Sequence, residues 1–101
     1  MRSSPKRSKS APEGVEFTLY LTNNGNQSLN SLTVTDDLGT VVQSGFSLAI
    51  GESKTIKYFV RNPEAVRYVV FNITGVYSSG IVFKDNTKSY TVRPYIDPTT
   101  L

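Results

Sequence analysis

Eight Asp and Glu side chains carry most of the acid–base or metal chemistry this chain can offer, because histidine, cysteine and tryptophan are absent. Thiolate zinc sites, thiol catalysis, disulfide scaffolds, imidazole-ligated metals and histidine-based triads are excluded at once. Asp36, Asp37 and Asp85 could offer oxygens to a hard cation such as calcium. They do not stand in a D-x-[DN]-x-[DN]-G loop, and adjacent aspartates after a strand are ordinary turn formers. Paired carboxylates can hydrolyse glycosides as acid and nucleophile. Here, however, Glu16, Glu52 and Glu64 fall in or beside turns or on polar strand faces. Neither GxxxxGK[ST] nor GxGxxG occurs, so no phosphate-cradling loop is indicated. Lys54, Lys57, Asn72 and Glu52 supply the residue types of an intramolecular Lys–Asn isopeptide bond, but alternation puts Lys57 on the polar side of its strand. The chain therefore reads as a binding or structural module and not an enzyme, with no catalytic residue, metal or cofactor expected.

Two tripeptides, Asn26-Gln27-Ser28 and Asn72-Ile73-Thr74, match the acceptor pattern for N-linked glycans. The first lies in an expected hairpin loop. The second lies mid-strand and can carry a glycan only if Asn72 points outward. Both asparagines also have a plainer reading, as turn or core-polar residues: Asn23, Asn24 and Asn26 beside Gly25 suit left-handed backbone and Asx hydrogen bonds. Among the aromatics, Phe17, Phe46 and Tyr58 read as core. Tyr20, Phe59, Tyr77 and Tyr95 are the candidates for an exposed contact surface.

Positioning these groups falls to short extended segments. Turn signals recur at Asn23–Asn26, Asp36–Gly39, Gly51-Glu52, Asn62–Glu64, Ser78–Gly80 and Asp85-Asn86. Between them the chain is rich in Val, Ile, Thr, Tyr and Phe, which favour a pleated, half-buried surface. No stretch repeats apolar residues at helical spacing, and strands at such short intervals argue for an all-β sandwich or barrel. In VEFTLYLT, Val15, Phe17, Leu19 and Leu21 share one face. Leu32 and Val34 share another, as do Phe46, Leu48 and Ile50, then Ile56, Tyr58 and Val60, and finally Tyr90 and Val92. The segment from Val66 to Phe83 is apolar on both parities, which fits either a doubly buried strand or a bulge near Gly75 that switches faces.

Charge divides the chain. Arg2, Lys6, Arg7 and Lys9 face only Glu13 in the first fourteen residues, whereas from Val15 onward seven Lys/Arg balance seven Asp/Glu. Residues 1–14 hold too little apolar surface to repay ordering and are expected to form a disordered basic tail or linker. Residues 15–95 form the β domain, and 96–101 a C-terminal tail. With its positives in a tail and not on a folded face, nucleic acid is not expected as a partner. The basic start lacks the apolar run of a signal peptide, and no run is long enough for a membrane span.

The stretches FTLYLTNNGNQSLNSLTVTDDLG and LAIGESKTIKYFV resemble the immunoglobulin-like repeat of bacterial and archaeal surface proteins, the "domain of unknown function 11" type. Thr22, Asn23, Gly25 and Asn26 match its first turn, and Val34, Thr35 and Asp36 the end of its second strand. Leu48, Gly51, Glu52 and Ser53 match its central loop, where Ile50 replaces a usual proline, with Thr55 opening the next strand. Asn72, Gly80, Asp85 and Tyr90-Thr91-Val92 complete the pattern over about residues 16–93. The resemblance implies an immunoglobulin-like antiparallel β-sandwich of about seven strands. It further implies an extracellular, repeated, non-catalytic spacer or adhesion module at the cell surface, whose partners are neighbouring domains of a larger exported chain or another surface protein. Two alternatives stand beside it: a carbohydrate-binding module using exposed aromatics, and an intracellular interaction domain whose basic tail contacts nucleic acid or membrane.

Overall fold

The computed structural model describes residues 2–11 and 13–94, and every regular element within them is a β-strand. In chain order these are β1 (Arg2–Ala11), β2 (Gly14–Thr22), β3 (Leu29–Thr35), β4 (Val41–Leu48), β5 (Ser53–Arg61), β6 (Arg67–Val69), β7 (Asn72–Tyr77), β8 (Val82–Asn86) and β9 (Tyr90–Val92). All pairings are antiparallel. One sheet has the order β1-β2-β5, a second β4-β3-β7-β8, and β6 pairs with β9 in a two-stranded ribbon. The architecture is all-β and sandwich-like, with a single apolar cluster drawn from all three sheets.

Alternation sets which side of each strand enters that cluster. Phe17, Leu19 and Leu21 of β2 and Ile56 and Val60 of β5 are buried from one sheet; Leu29, Leu32, Val34, Leu48, Ile73 and Phe83 meet them from the other. Each such side chain contributes roughly 1.5–3 kcal/mol when removed from water. Edge-to-face rings knit the layers: Phe17 lies 6.2 Å from Phe71 and 5.9 Å from Tyr90, and Tyr58 lies 5.5 Å from Phe71.

Nine strands stand among the described residues where about seven were expected, for two reasons. The extended run from Arg67 to Tyr77 breaks after Val69, dividing β6, beside β9, from β7, beside β3 and β8. Thr87 holds the break together: its N–H donates to the Phe71 carbonyl at 2.9 Å, and its hydroxyl accepts the Phe71 N–H at 3.0 Å. The second reason is β1. Residues 1–14, expected to lack order, contribute a ten-residue strand along the free edge of β2. Composition signals apolar burial, and β1 obtains its order instead from the backbone ladder, which composition does not encode. Pro5 is buried opposite Leu19, and the Tyr90 hydroxyl donates to its carbonyl at 3.0 Å. An edge is the position in a sheet that tolerates proline, whose missing N–H then faces away from the ladder.

The ambiguous Val66–Phe83 segment resolves in favour of the odd positions. Val69, Phe71 and Ile73 are buried, Asn72 and Thr74 face out, and Gly75 continues the inward face without a bulge in β7. The irregularity sits opposite, in β3, where Ser31 takes a φ of 51° and the register slips between Asn30 and Thr33. A Cβ at Gly75 would stand 2.6 Å from Leu32 Cδ2, so the glycine makes room for that bulge. Ile50 departs from its expected face: β4 ends at Leu48, the Gly51 turn follows, and Ile50 is 60% exposed.

Candidate functional site

Two of the buried polar side chains, Asn23 and Asp36, stand at opposite ends of the sheets. At one end Asn23 leaves β2 and ties the β2–β3 loop to the β4–β5 loop. Its Nδ2 donates to the carbonyls of Gln27 at 2.8 Å and Leu48 at 3.0 Å, and its Oδ1 accepts the Gly25 N–H at 3.1 Å. Its backbone donates to Glu52 and accepts from Gly51. Glu52 in turn accepts the Ala49 N–H. The Asn-Gly and Gly-Glu-Ser segments, far apart in sequence, thus form one interlocked end.

At the other end Asp36 follows β3, its side chain almost wholly buried. One oxygen accepts the N–H groups of Leu38 and Thr40, each at 2.9 Å; the other accepts the Tyr58 hydroxyl and, at 3.2 Å, the Arg67 guanidinium. Arg67 also holds Asp37 through two bonds, at 2.9 and 3.1 Å. Burial by itself would raise the Asp36 pKa. The Tyr58 hydroxyl, the two backbone N–H groups and the Arg67 charge outweigh it and hold the carboxyl below its ordinary value. Tyr58 moves the other way: burial first, then donation to a carboxylate, raises its pKa. Arg67 is held in its charged form beyond its already high ordinary value, chiefly by Asp37. With four donors on Asp36, the cluster is a structural clamp joining β3, β5 and β6.

The remaining candidates are dispersed. Asp85 lies away from Asp36 and Asp37, and no group of three or more metal-ligating side chains converges among the described residues. Lys57 and Asn72 face outward from opposite sheets, and Lys54 instead sits over the Phe46 ring at 5.3 Å, so the isopeptide residue types do not meet. Asn26 is exposed in its loop. Asn72 is exposed too, and with Thr74, Lys84, Asp85 and Asn86 it lines an open hollow of about 310 Å³ on the outer side of β7 and β8.

Of the four candidate contact aromatics, Tyr20 and Phe59 are about half exposed on the outward side of the β1-β2-β5 sheet. Tyr20 pairs with Thr55 and Phe59 with Glu16, so they stand four residues apart along the ladder, roughly 14 Å. Thr18 and Lys57 intervene. Tyr77 is half-buried, edge-on to Phe83 at 5.6 Å. Tyr95 lies outside the described residues.

Sequence reasoning placed Tyr58 in the core and missed its hydroxyl, and it missed Arg67 altogether. The available signal was a tyrosine at an inward position of β5 together with an aspartate closing β3. Comparison of the chain with family models and with curated proteins finds no match.

Proposed function

We propose that this chain is a non-catalytic structural and adhesion module of a prokaryotic cell-surface protein, an immunoglobulin-like sandwich used as a spacer or protein-contact domain. The observation that carries this reading is the path of the chain. Arg2 pairs with Thr22 at the Asn23 end, whereas β9 runs to Val92, paired with Arg67 at the Asp36 end. Force applied along the chain therefore enters and leaves at opposite ends, as a spacer requires.

Strand order supports the immunoglobulin-like part. On that reading β1, β2 and β5 would be strands A, B and E, and β3, β7 and β8 would be C, F and G, with β4 beside β3 as strand C′. The clamps at both ends use Asn23, Asp36, Gly51 and Glu52, the positions on which the family resemblance rests. Protein contacts would run along the unpaired edges β4 and β8, since a free edge is a template for another strand. Antibodies raised against the purified chain test the location. The proposal expects them to label intact cells of the source organism. Labelling only after permeabilisation overturns it.

A further inference from the structure

We propose that Asn72 carries an N-linked glycan whose first sugar lies in the hollow on the outer side of β7 and β8. Asn72-Ile73-Thr74 is an acceptor tripeptide, and the folded domain can bear a glycan there only if the asparagine faces away from the core. Ile73 of β7 and Phe83 of β8 are buried, so alternation turns Asn72 and Thr74 outward. Both are exposed. Among the described residues, no hydrogen bond within the chain engages the Asn72 amide or the Thr74 hydroxyl.

The neighbouring strand completes the site, because cross-strand partners share a face. The ladder sets Asn86 opposite Asn72 and Lys84 opposite Thr74, and these two are exposed as well. The four polar side chains form one patch, roughly 7 Å along the strands and about 5 Å across them. With Asp85 they line the hollow of about 310 Å³. Sites for free small molecules enclose most of the ligand, whereas this hollow is open and lies on a sheet. A covalent link to Asn72 supplies the hold that the shape lacks. Lys84 and Asn86 then offer donors, and Asn86 and Thr74 acceptors, to the hydroxyls of the attached sugar.

The other acceptor asparagine, Asn26, is less open to transfer. Its tripeptide begins inside a turn that Asn23 builds locally, with Oδ1 accepting the Gly25 N–H and Nδ2 donating to the Gln27 carbonyl. Contacts so close in sequence cost little loop entropy and form early. Asn72 is different. Its pairing with Asn86 is the one farthest from the turn of the β7–β8 hairpin, and its pairing with Thr35 waits for β3 to dock. The Asn72 segment therefore stays extended and unpaired for longer as the chain emerges, and transfer takes place in that state. The Asn72 Nδ2 attacks the anomeric carbon of a lipid-phosphate-linked oligosaccharide. A C–N bond forms and the C–O bond to phosphate breaks. The lipid phosphate leaves with the bonding pair, and one amide proton passes to a base of the transferase.

This inference rests on the surface-module reading for where the donor is met, since a lipid-linked donor is encountered at a membrane during export. Intact-mass spectrometry of the chain recovered from the source organism is expected to show a mass above that of the sequence. Peptide mapping is expected to place the addition on Asn72. Asn72→Gln and Thr74→Val are each expected to abolish it, and Thr74→Ser to retain it, because the acceptor pattern requires the hydroxyl. Valine keeps the shape of an outward strand position, and circular dichroism checks that each variant is folded. An unmodified Asn72, an addition on Asn26 alone, or an addition that survives Thr74→Val overturns the inference. An unmodified Asn72 in protein labelled on intact cells removes this inference alone; a modified Asn72 in protein labelled only after permeabilisation removes the surface reading alone.

Discussion

Replacing Asp36 by asparagine keeps the shape of the clamp at the β3 end and changes its chemistry. The amide oxygen can still accept from Leu38 and Thr40, but the amide nitrogen then faces the Tyr58 hydroxyl and the Arg67 guanidinium, both donors to the original carboxylate. Hydrogen bonds to a charged partner contribute about 1.5–3 kcal/mol each. Arg67 keeps Asp37, and the Tyr58 hydroxyl can turn to accept from the new amide, so the expected loss is about 3 kcal/mol, towards the low end for two such bonds. Against a total stability of about 5–15 kcal/mol this is a large fraction. Urea unfolding followed by circular dichroism should show the midpoint falling by roughly 1–3 M with an unchanged slope. Tyr58→Phe keeps the ring against Phe71 and removes one donor, for an expected loss of about 1.5 kcal/mol. A loss below about 1 kcal/mol for Asp36→Asn, at constant slope, refutes the view that this cluster clamps the sheets.

Further outcomes follow from the same contacts. Because the Asp36 pKa is lowered in the folded protein, its contribution is complete above the ordinary value of 3.8 and lost as pH falls through the folded value; the stability gap between wild type and Asp36→Asn should therefore close on acidification, read by thermal melts across pH. Tyr58 has the opposite sign: its raised pKa favours the folded state below the ordinary value of 10.0 and ceases to do so as pH rises through the folded value. Ultraviolet titration of wild type against Tyr58→Phe should accordingly lose a late-ionising tyrosine. Gly14→Ala would place a Cβ 2.2 Å from the Val60 carbonyl oxygen, backbone that cannot easily move aside, and should cost about 3 kcal/mol in urea unfolding. Asn23→Ala removes three hydrogen bonds, two within the β2–β3 loop and one across to Leu48 at the end of β4, about 2–3 kcal/mol by the same assay.

Much of the fold was legible because period-two alternation is a local property. Phe17, Leu19 and Leu21 take the side their spacing dictates, and so do Ile56, Val60, Leu32 and Val34. Alternation gave no answer where both parities are apolar. The outward aim of Asn72 depends on Leu32 filling the space beside Gly75, a contact across two strands. Ile50 lost its expected burial because a turn, and not a strand, follows Leu48. The Asp36–Tyr58–Arg67 clamp joins residues up to 31 positions apart, and no local pattern marks such a meeting. Least legible was β1, where a basic, Ser-rich segment is ordered by pairing with β2.

The path of the chain depends on that strand, and amide hydrogen exchange tests it most directly. The Pro5 carbonyl points away from β2 towards Tyr90, so alternate residues Ser4 and Lys6 direct their N–H groups into the ladder. Slow exchange at Ser4 and Lys6, with fast exchange at Ser3 and Arg7, is the expected result. Exchange at free-peptide rates throughout residues 2–11 would contradict it.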